Sequence, residues 1–227
     1  MKAVVLLSGG IDSTTCLAQA VEDYGRDSVL ALSLSYGQKH SKELEAAKAV
    51  SQYYEVSHQI QDLSEVFKLS DCTLLNHSSH EMEHTSYADQ LKETNGKPVN
   101  TYVPFRNGLF LAYAAAIAVS VHAEHILYGA HQDDAAGNAY PDCSEIFEHH
   151  MGQAIYEGSG KSVKLNSPLI GLNKAGVVQL GLHLKAPYHL TWSCYEGGDK
   201  PCGTCGTCRD RQLAFESNNI VDPAVHL

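Results

Sequence analysis

Residues 8–13 read Ser-Gly-Gly-Ile-Asp-Ser and follow directly on the apolar run 3–7. A chain that leaves a buried strand through two glycines and starts a helix at once is shaped to receive a phosphate. Gly9 and Gly10 permit positive φ and close approach of the backbone. The helix start offers unpaired N–H groups and the positive end of a dipole. Ser8 and Ser13 add hydroxyl donors. Asp12 adds repulsion there unless it orients a magnesium ion or its water shell. The plainer alternative is an ordinary turn in which Asp12 or Ser13 caps the helix. Two familiar phosphate patterns are excluded. No Gly-Lys-Ser/Thr ending follows, and the glycines are not spaced Gly-x-Gly-x-x-Gly.

The second chemical cluster is a cysteine block. Of 7 cysteines, Cys194, Cys202, Cys205 and Cys208 crowd together, while Cys16, Cys72 and Cys143 are scattered. The last three of the block follow Cys-x-x-Cys-x-x-Cys spacing, and Gly203 and Gly206 supply the tight turns between them. Four thiolates suit a tetrahedral zinc ion, and with no spare ligand the zinc would be structural. An iron–sulfur cluster is the rival, and unligated buried cysteines the bland alternative.

The surrounding pattern must place these groups. The continuous apolar run 3–8 reads as a buried strand, and 28–37, 55–63, 124–131 and 162–170 read as further strands, 55–63 the weakest of them. Helical spacing appears at 11–24, 40–54, 102–123, 140–159, 173–184 and 209–219. Alternating strands and helices predict a parallel sheet with right-handed crossovers. Residues 70–101 are polar and irregular, the mark of a functional loop or mobile segment. We read residues 1–227 as a single domain carrying a metal element at 194–208. The net charge of −10 disfavours an extended nucleic-acid footprint and favours a small substrate. No stretch reaches the roughly 20 apolar residues of a membrane span. The N-terminus reads as a first core strand and not a signal peptide, which points to the cytoplasm.

The phosphate turn resembles the PP-loop of the ATP pyrophosphatase superfamily, whose members cleave ATP between the α- and β-phosphates and adenylate a carbonyl oxygen. Taken in order, "SGGIDSTT", "SYGQKH", "TYVPFRN", "GAHQDD", "YPDC" and "TWSCY…CGTCGTC" resemble the 7-cyano-7-deazaguanine synthases. The likeness runs from residue 1 to about 220. One departure is Phe105, where many members have Gly. The resemblance implies an open, mainly parallel five-stranded sheet with helices on both faces and a C-terminal zinc element. It implies a ligase that converts 7-carboxy-7-deazaguanine and ammonia to the nitrile through adenylated acid and amide intermediates, as a step of queuosine biosynthesis. It also implies a homodimer and no direct contact with nucleic acid. Two other readings stay open at this stage. One is a PP-loop enzyme with another substrate, such as a tRNA thiolase or a protein- or heterocycle-modifying paralogue. The other is a nucleotide-binding module without turnover.

Site residues follow from the resemblance. Leu7, Ser8, Gly9, Gly10, Asp12, Ser13, Ser35 and Gln38 are assigned to ATP with its Mg2+, Ser33 being an alternative to Ser35. Asp12, Ser13 and Arg106 are assigned to catalysis. Arg106, Asn107, His131, Asp134, Tyr140 and Asp142 are assigned to the substrate, with Asp142 on its guanine-like edge and Tyr140 stacked on the base. Lys39 and Lys174 are further phosphate candidates. Cys143 reads as a packed thiol rather than a nucleophile, and His77, His80 and His84 as surface groups.

Overall fold

The computed structural model describes residues 1–81, 84, 90–92 and 96–224. Five strands form one sheet in the order β3-β2-β1-β4-β5. They are β1 (Ala3–Leu6), β2 (Val29–Ser35), β3 (Ser57–Asp62), β4 (His125–Leu127) and β5 (Lys164–Asn166). Every pairing is parallel; Val4 lies opposite Leu30 on one side and Ile126 on the other. A central strand flanked in this way has both faces buried, which is why β1 needs an unbroken apolar run. Ala3, Val4 and Val5 are fully buried.

Helices connect and cover the strands, among them α1 (Ile11–Tyr24), α2 (Lys42–Tyr53), α3 (Arg106–Ser120), the single turn α4 (Gln132–Ala135), α5 (Glu145–Gly158), α6 (Lys174–His183) and α7 (Gly206–Ser217). Alternating residues of β1 feed two cores. Val5 packs with Leu17, Val177, Tyr188 and Phe215 on the face of α1, α6 and α7. Val4 packs with Leu111, Ile126, Ile155 and Val163 on the face of α3 and α5.

Several boundaries shift from the sequence expectation, each for a local reason. The helix expected over 102–123 starts only at Arg106, because Pro104 precedes it and Phe105 adopts a left-handed φ of 55°. A left-handed residue other than Gly costs about 1–2 kcal/mol, so the departure at Phe105 falls where the backbone does favour Gly. The helix expected over 140–159 is a short turn at Pro141–Cys143 followed by α5, whose start is fixed by Ser144 accepting the Phe147 N–H at 3.2 Å. The last helix begins earlier, at Gly206, so Cys208 sits on a helix and not on a turn. Part of the polar stretch 70–101 is packed rather than solvated: Cys72, Leu74 and Leu75 are buried with Tyr36 and Phe67. Its residues 82–83, 85–89 and 93–95 lie outside the described residues. His77, His80 and His84 are exposed, as expected.

Candidate active site

The carboxyl ends of β1, β2 and β4 open into a cavity of about 590 Å³. This is where an open α/β sheet receives ligands, because the chain reverses its direction of strand addition there. Leu7, Ser8, Gly10, Asp12, Ser13, Gln38, Arg106, Asn107, His131, Asp134 and Tyr140 all reach its wall.

The phosphate turn is organised by Ser13. Its Oγ accepts the backbone N–H groups of Ser8 at 3.1 Å and Gly9 at 3.2 Å, and lies 3.0 Å from Ser8 Oγ. The N-cap of α1 is Gly10, and no side chain caps it. The plainer reading, with Asp12 or Ser13 as cap, therefore does not hold, and the first-turn N–H groups of α1 stay available to an anion. The two glycines differ. Gly9 has a φ of 91°, and a Cβ there would come within 2.3 Å of the Glu43 carbonyl oxygen and 2.6 Å of the Ala47 nitrogen. Gly9 thus lets α2 sit on the loop and does not itself reach the cavity wall. Gly10 is extended, with φ of −80°, so of the two only Gly9 uses a positive φ. A Cβ there would meet nothing closer than Ser8 Oγ at 3.5 Å, and Gly10 lies on the cavity wall.

Asp12 is already engaged by a cation of the chain itself. Lys174 Nζ, from the first turn of α6, lies 2.8 Å and 2.7 Å from its two carboxylate oxygens. Burial would raise the Asp12 carboxyl, but the charges of Lys174 and His131 outweigh it and hold the carboxyl below its usual value. Burial opposes the charge on Lys174 too, yet Asp12 and Asp134 raise its pKa. His131 Nε2 lies 3.3 Å from Lys174 Nζ and 3.3 Å from Asp134 Oδ1. The His131 ring is buried, and among the described residues its Nδ1 has no hydrogen-bond partner. Asp134 is pushed up by burial, with Asp12 adding to the shift. Asn173 caps α6 by accepting the Gly176 N–H at 2.9 Å, and Asp133 accepts the Lys174 backbone N–H at 2.7 Å. Those two contacts aim the lysine.

Across the cavity, the Arg106 guanidinium lies 4.9 Å from the centre of the Tyr36 ring. Among the described residues no carboxylate forms an ion pair with it. Asn107 is held from both ends: its backbone N–H donates to Asp142 at 2.8 Å and its side chain to Cys143 Sγ at 3.1 Å. Asp142 is buried off the cavity wall, so this structure shows it fixing the start of α3. Burial raises the Cys143 thiol well above its usual value, which fits a packed thiol. Tyr140 presents its ring to the cavity while its hydroxyl meets Thr101 Oγ1 at 2.6 Å. Gln38 accepts the Tyr36 N–H at 2.9 Å. Besides Gly9 and Asp142, three more expected positions lie off the wall. Ser35 is off the wall. Ser33 is spent inside the sheet, donating to the Leu7 carbonyl at 2.5 Å and touching His58 at 2.8 Å. Lys39 reaches the His80 carbonyl at 3.1 Å.

The sulfurs of Cys194, Cys202, Cys205 and Cys208 lie within 4.8 Å of one another. Cys202 Sγ and Cys208 Sγ are 4.0 Å apart. A tetrahedral zinc with bonds of ~2.3 Å needs sulfur edges of about 3.8 Å, so the donor set fits. Backbone N–H groups of Thr204 and Cys205 donate to Cys202 Sγ at 3.4 Å and 3.3 Å, supporting thiolate there. The segment is bound to the phosphate turn. The Trp192 backbone N–H donates to the Gly9 carbonyl at 3.0 Å, and Trp192, Tyr195 and Asp210 form one wall of the cavity. Sequence reasoning did not single out Trp192, Tyr36, Tyr195, Asp210 or Glu43. Each reaches the site through a contact distant in sequence, so no local spacing could reveal it.

The sheet order and the phosphate turn define a PP-loop-type nucleotide fold. Two solved structures share it at 16% identity: the U34-tRNA thiolase NcsA from Methanococcus maripaludis with its [4Fe-4S] cluster, with a TM-score of 0.53 over 96% of this chain and 67% of that one, and an NMN synthetase from Francisella tularensis, with 0.51 over 99% and 80%. At that identity they show the fold alone. Residues 2–219 match the family described as queuosine biosynthesis protein QueC, and the chain belongs to that family. A 7-cyano-7-deazaguanine synthase of Archaeoglobus fulgidus is 41% identical over 224 residues, covering 98% of this chain and 89% of the relative. Another, from Oceanobacillus iheyensis, is 40% identical over 230 residues, covering 100% and 98%.

Proposed function

We infer that this chain is an ATP-dependent carbon–nitrogen ligase that turns 7-carboxy-7-deazaguanine and ammonia into 7-cyano-7-deazaguanine for queuosine biosynthesis. The observation that carries the chemistry is one cavity with a phosphate end and a carboxylate end. The uncapped start of α1 and Lys174 form the first, and Arg106, which no carboxylate pairs with among the described residues, forms the second. Family membership supplies the substrate. A thiolase or a silent nucleotide sensor has no comparable support.

A carboxylate is a poor electrophile because its oxygen will not leave. Transfer of AMP to that oxygen makes it a leaving group, ammonia displaces it, and a second adenylation, of the amide oxygen, permits elimination to the nitrile. In this reading Ser8, Gly10 and Ser13 cradle the phosphates. Lys174, aimed by Asp12, balances the charge that grows on the departing pyrophosphate. Arg106 grips the substrate carboxylate with its forked donors. Asn107, His131 and Tyr140 frame the heterocycle, with Asp142 holding Asn107 in place. Mg2+ would arrive on ATP. Asp134 and Asp12 are the hard oxygen donors beside the phosphate end, and the ion would spread charge over the phosphate oxygens. Zinc on the four cysteines is structural in this reading: its ligand set has no open position.

The same reading takes residues 1–227 as one domain acting on small molecules in the cytoplasm, without binding nucleic acid itself. Among the described residues no helix is long and apolar enough to cross a membrane. A homodimer is supported by a second groove of about 430 Å³ between α3 and α5, lined by Ala112, Ala116, Val119, Met151 and Ala154. The direct test is turnover. The full chain, given ATP, magnesium, ammonium and the carboxylate, should release AMP and the nitrile, and the Asp12→Ala protein should be nearly inactive. ATP binding without any change in the heterocycle's mass would sink the substrate assignment.

A further inference from the structure

Glu43 stands apart from the other acids of the site. Asp12 holds Lys174, Asp133 accepts the Lys174 N–H, and Asp134 lies against His131. The cation that most favours ionised Asp210 is also Lys174. All four belong to the phosphate end. Glu43 lies in the first turn of α2, which the absence of a side chain at Gly9 allows to rest on the phosphate turn. It reaches the cavity wall on the side of Arg106 and Tyr36. Among the described residues no hydrogen bond or ion pair engages its carboxylate. The titratable groups around it are Arg106 from α3 and Tyr36 beyond β2, with Tyr195 of the cysteine segment and Asp142 facing the same guanidinium. Burial pushes the Glu43 carboxyl up to about 7 against the pull of Arg106. Glu45, its neighbour in the same turn, is instead exposed and accepts the Ser41 hydroxyl at 2.5 Å.

The proposed reaction sheds protons from nitrogen, and neither Arg106 nor Lys174 can take them. Resting on the function inferred above, we propose that Glu43 is the catalytic base that takes protons from the reacting nitrogen. When ammonia attacks the acyl adenylate, the C–N bond forms and the nitrogen carries one proton too many. Glu43 accepts it, and the C–O bond breaks with its electron pair leaving on AMP. In the second half the amide oxygen bonds to the α-phosphorus of a new ATP, and pyrophosphate departs with its electron pair. The imidate nitrogen then loses two protons in succession while the C–O bond to AMP breaks, leaving C≡N. Glu43 passes each proton to water through the open cavity before taking the next. A base titrating near neutrality suits that cycle.

The test compares the full-length protein with its Glu43→Gln and Glu43→Asp variants. Pyrophosphate release from ATP and the carboxylate without ammonia reads adenylation. Amide and nitrile formation across neutral pH reads proton transfer. Glu43→Gln should adenylate at the wild-type rate, form amide and nitrile slower by about a hundredfold or more, and lose the limb of the pH–rate profile that rises through neutrality. Glu43→Asp should keep that limb at a reduced rate. Two results would overturn the assignment of Glu43 alone. One is a Glu43→Gln protein with wild-type rates and profile. The other is one slowed equally in every step with its pH profile intact, as a purely structural acid at a helix start would give. A wild-type protein that leaves the heterocycle untouched would overturn the function beneath it, and the role of Glu43 with it.

Discussion

Asp12 is the residue to whose sequence reading the structure adds most. From its spacing alone it reads as a magnesium ligand. In the folded chain its charge is already matched by Lys174, brought from α6. In the proposed mechanism the acid also works through the lysine, holding its ammonium beside the phosphate turn. Lys174→Met should weaken ATP binding and slow turnover by about a hundredfold or more, the usual loss when one donor to developing charge is removed; ATP titration and AMP release check this. The pair also carries a pH signature. Asp12 titrates below its ordinary value, so its share of stability is full above about pH 4 and is lost as the pH falls through the lowered value. Lys174 titrates above its ordinary value, so its share is full below about pH 10 and is lost as the pH rises through the raised one. Denaturant unfolding of wild type and Lys174→Met should therefore differ most near neutrality and converge in strong acid. An unchanged gap at low pH would mean the pair does not stabilise the fold.

At the scale of elements, the turn before α1 divides its glycines between two tasks. Gly9→Ala puts a Cβ against the α2 backbone at a positive φ, so it should lower the melting temperature and with it activity. In Gly10→Ala the nearest neighbours are Ser8 Oγ at 3.5 Å and the Trp192 carbonyl oxygen at 3.7 Å. That variant should melt like wild type and still bind ATP poorly. Thermal melts beside ATP titrations separate the two. The cysteine segment is the other working element, since Trp192 ties it to Gly9 and its residues wall the cavity. Stripping the metal with a chelator should lower both the melting temperature and ATP affinity, and added zinc should restore them. The turn and the cysteine block were legible because their chemistry needs neighbouring residues at fixed spacing. The division of labour between the glycines was not, because it depends on how α2 packs. Nor was the brevity of β4: the segment 124–131 reads as one strand, yet only His125–Leu127 pair in the sheet. A Cβ at Gly129 would lie 3.1 Å from that of Asp12, so the chain passes there because it lacks a side chain.

The whole molecule was readable as alternating strands and helices, and its five parallel strands agree with that reading. What holds the far end of the chain was not readable. Arg211 on α7 is buried and bonds both oxygens of buried Asp222, at 2.6 Å and 2.9 Å. It also bonds Thr191 Oγ1 at 2.9 Å, just before the cysteine segment. This network ties Asp222 to α7 and to the segment that enters the wall of the site. Asp222→Ala leaves a buried cation unpaired and should cost about 3–5 kcal/mol in denaturant unfolding. A variant as stable as wild type would remove the network from the account. The groove between α3 and α5 bears on assembly: if a second copy covers it, Val119→Glu should shift a dimer to monomer in sedimentation, and a wild-type monomer would end that proposal.

The central claim is that one cavity activates a carboxylate, and then the amide made from it, by attaching AMP to carbon-bound oxygen. The most direct measurement supplies 7-carboxy-7-deazaguanine labelled with heavy oxygen in its carboxylate and follows the label by mass. The account expects two AMP for each nitrile, each carrying one labelled oxygen, and none of the label in pyrophosphate or water. Label retained on an unchanged heterocycle, or released to water while AMP stays light, would contradict it.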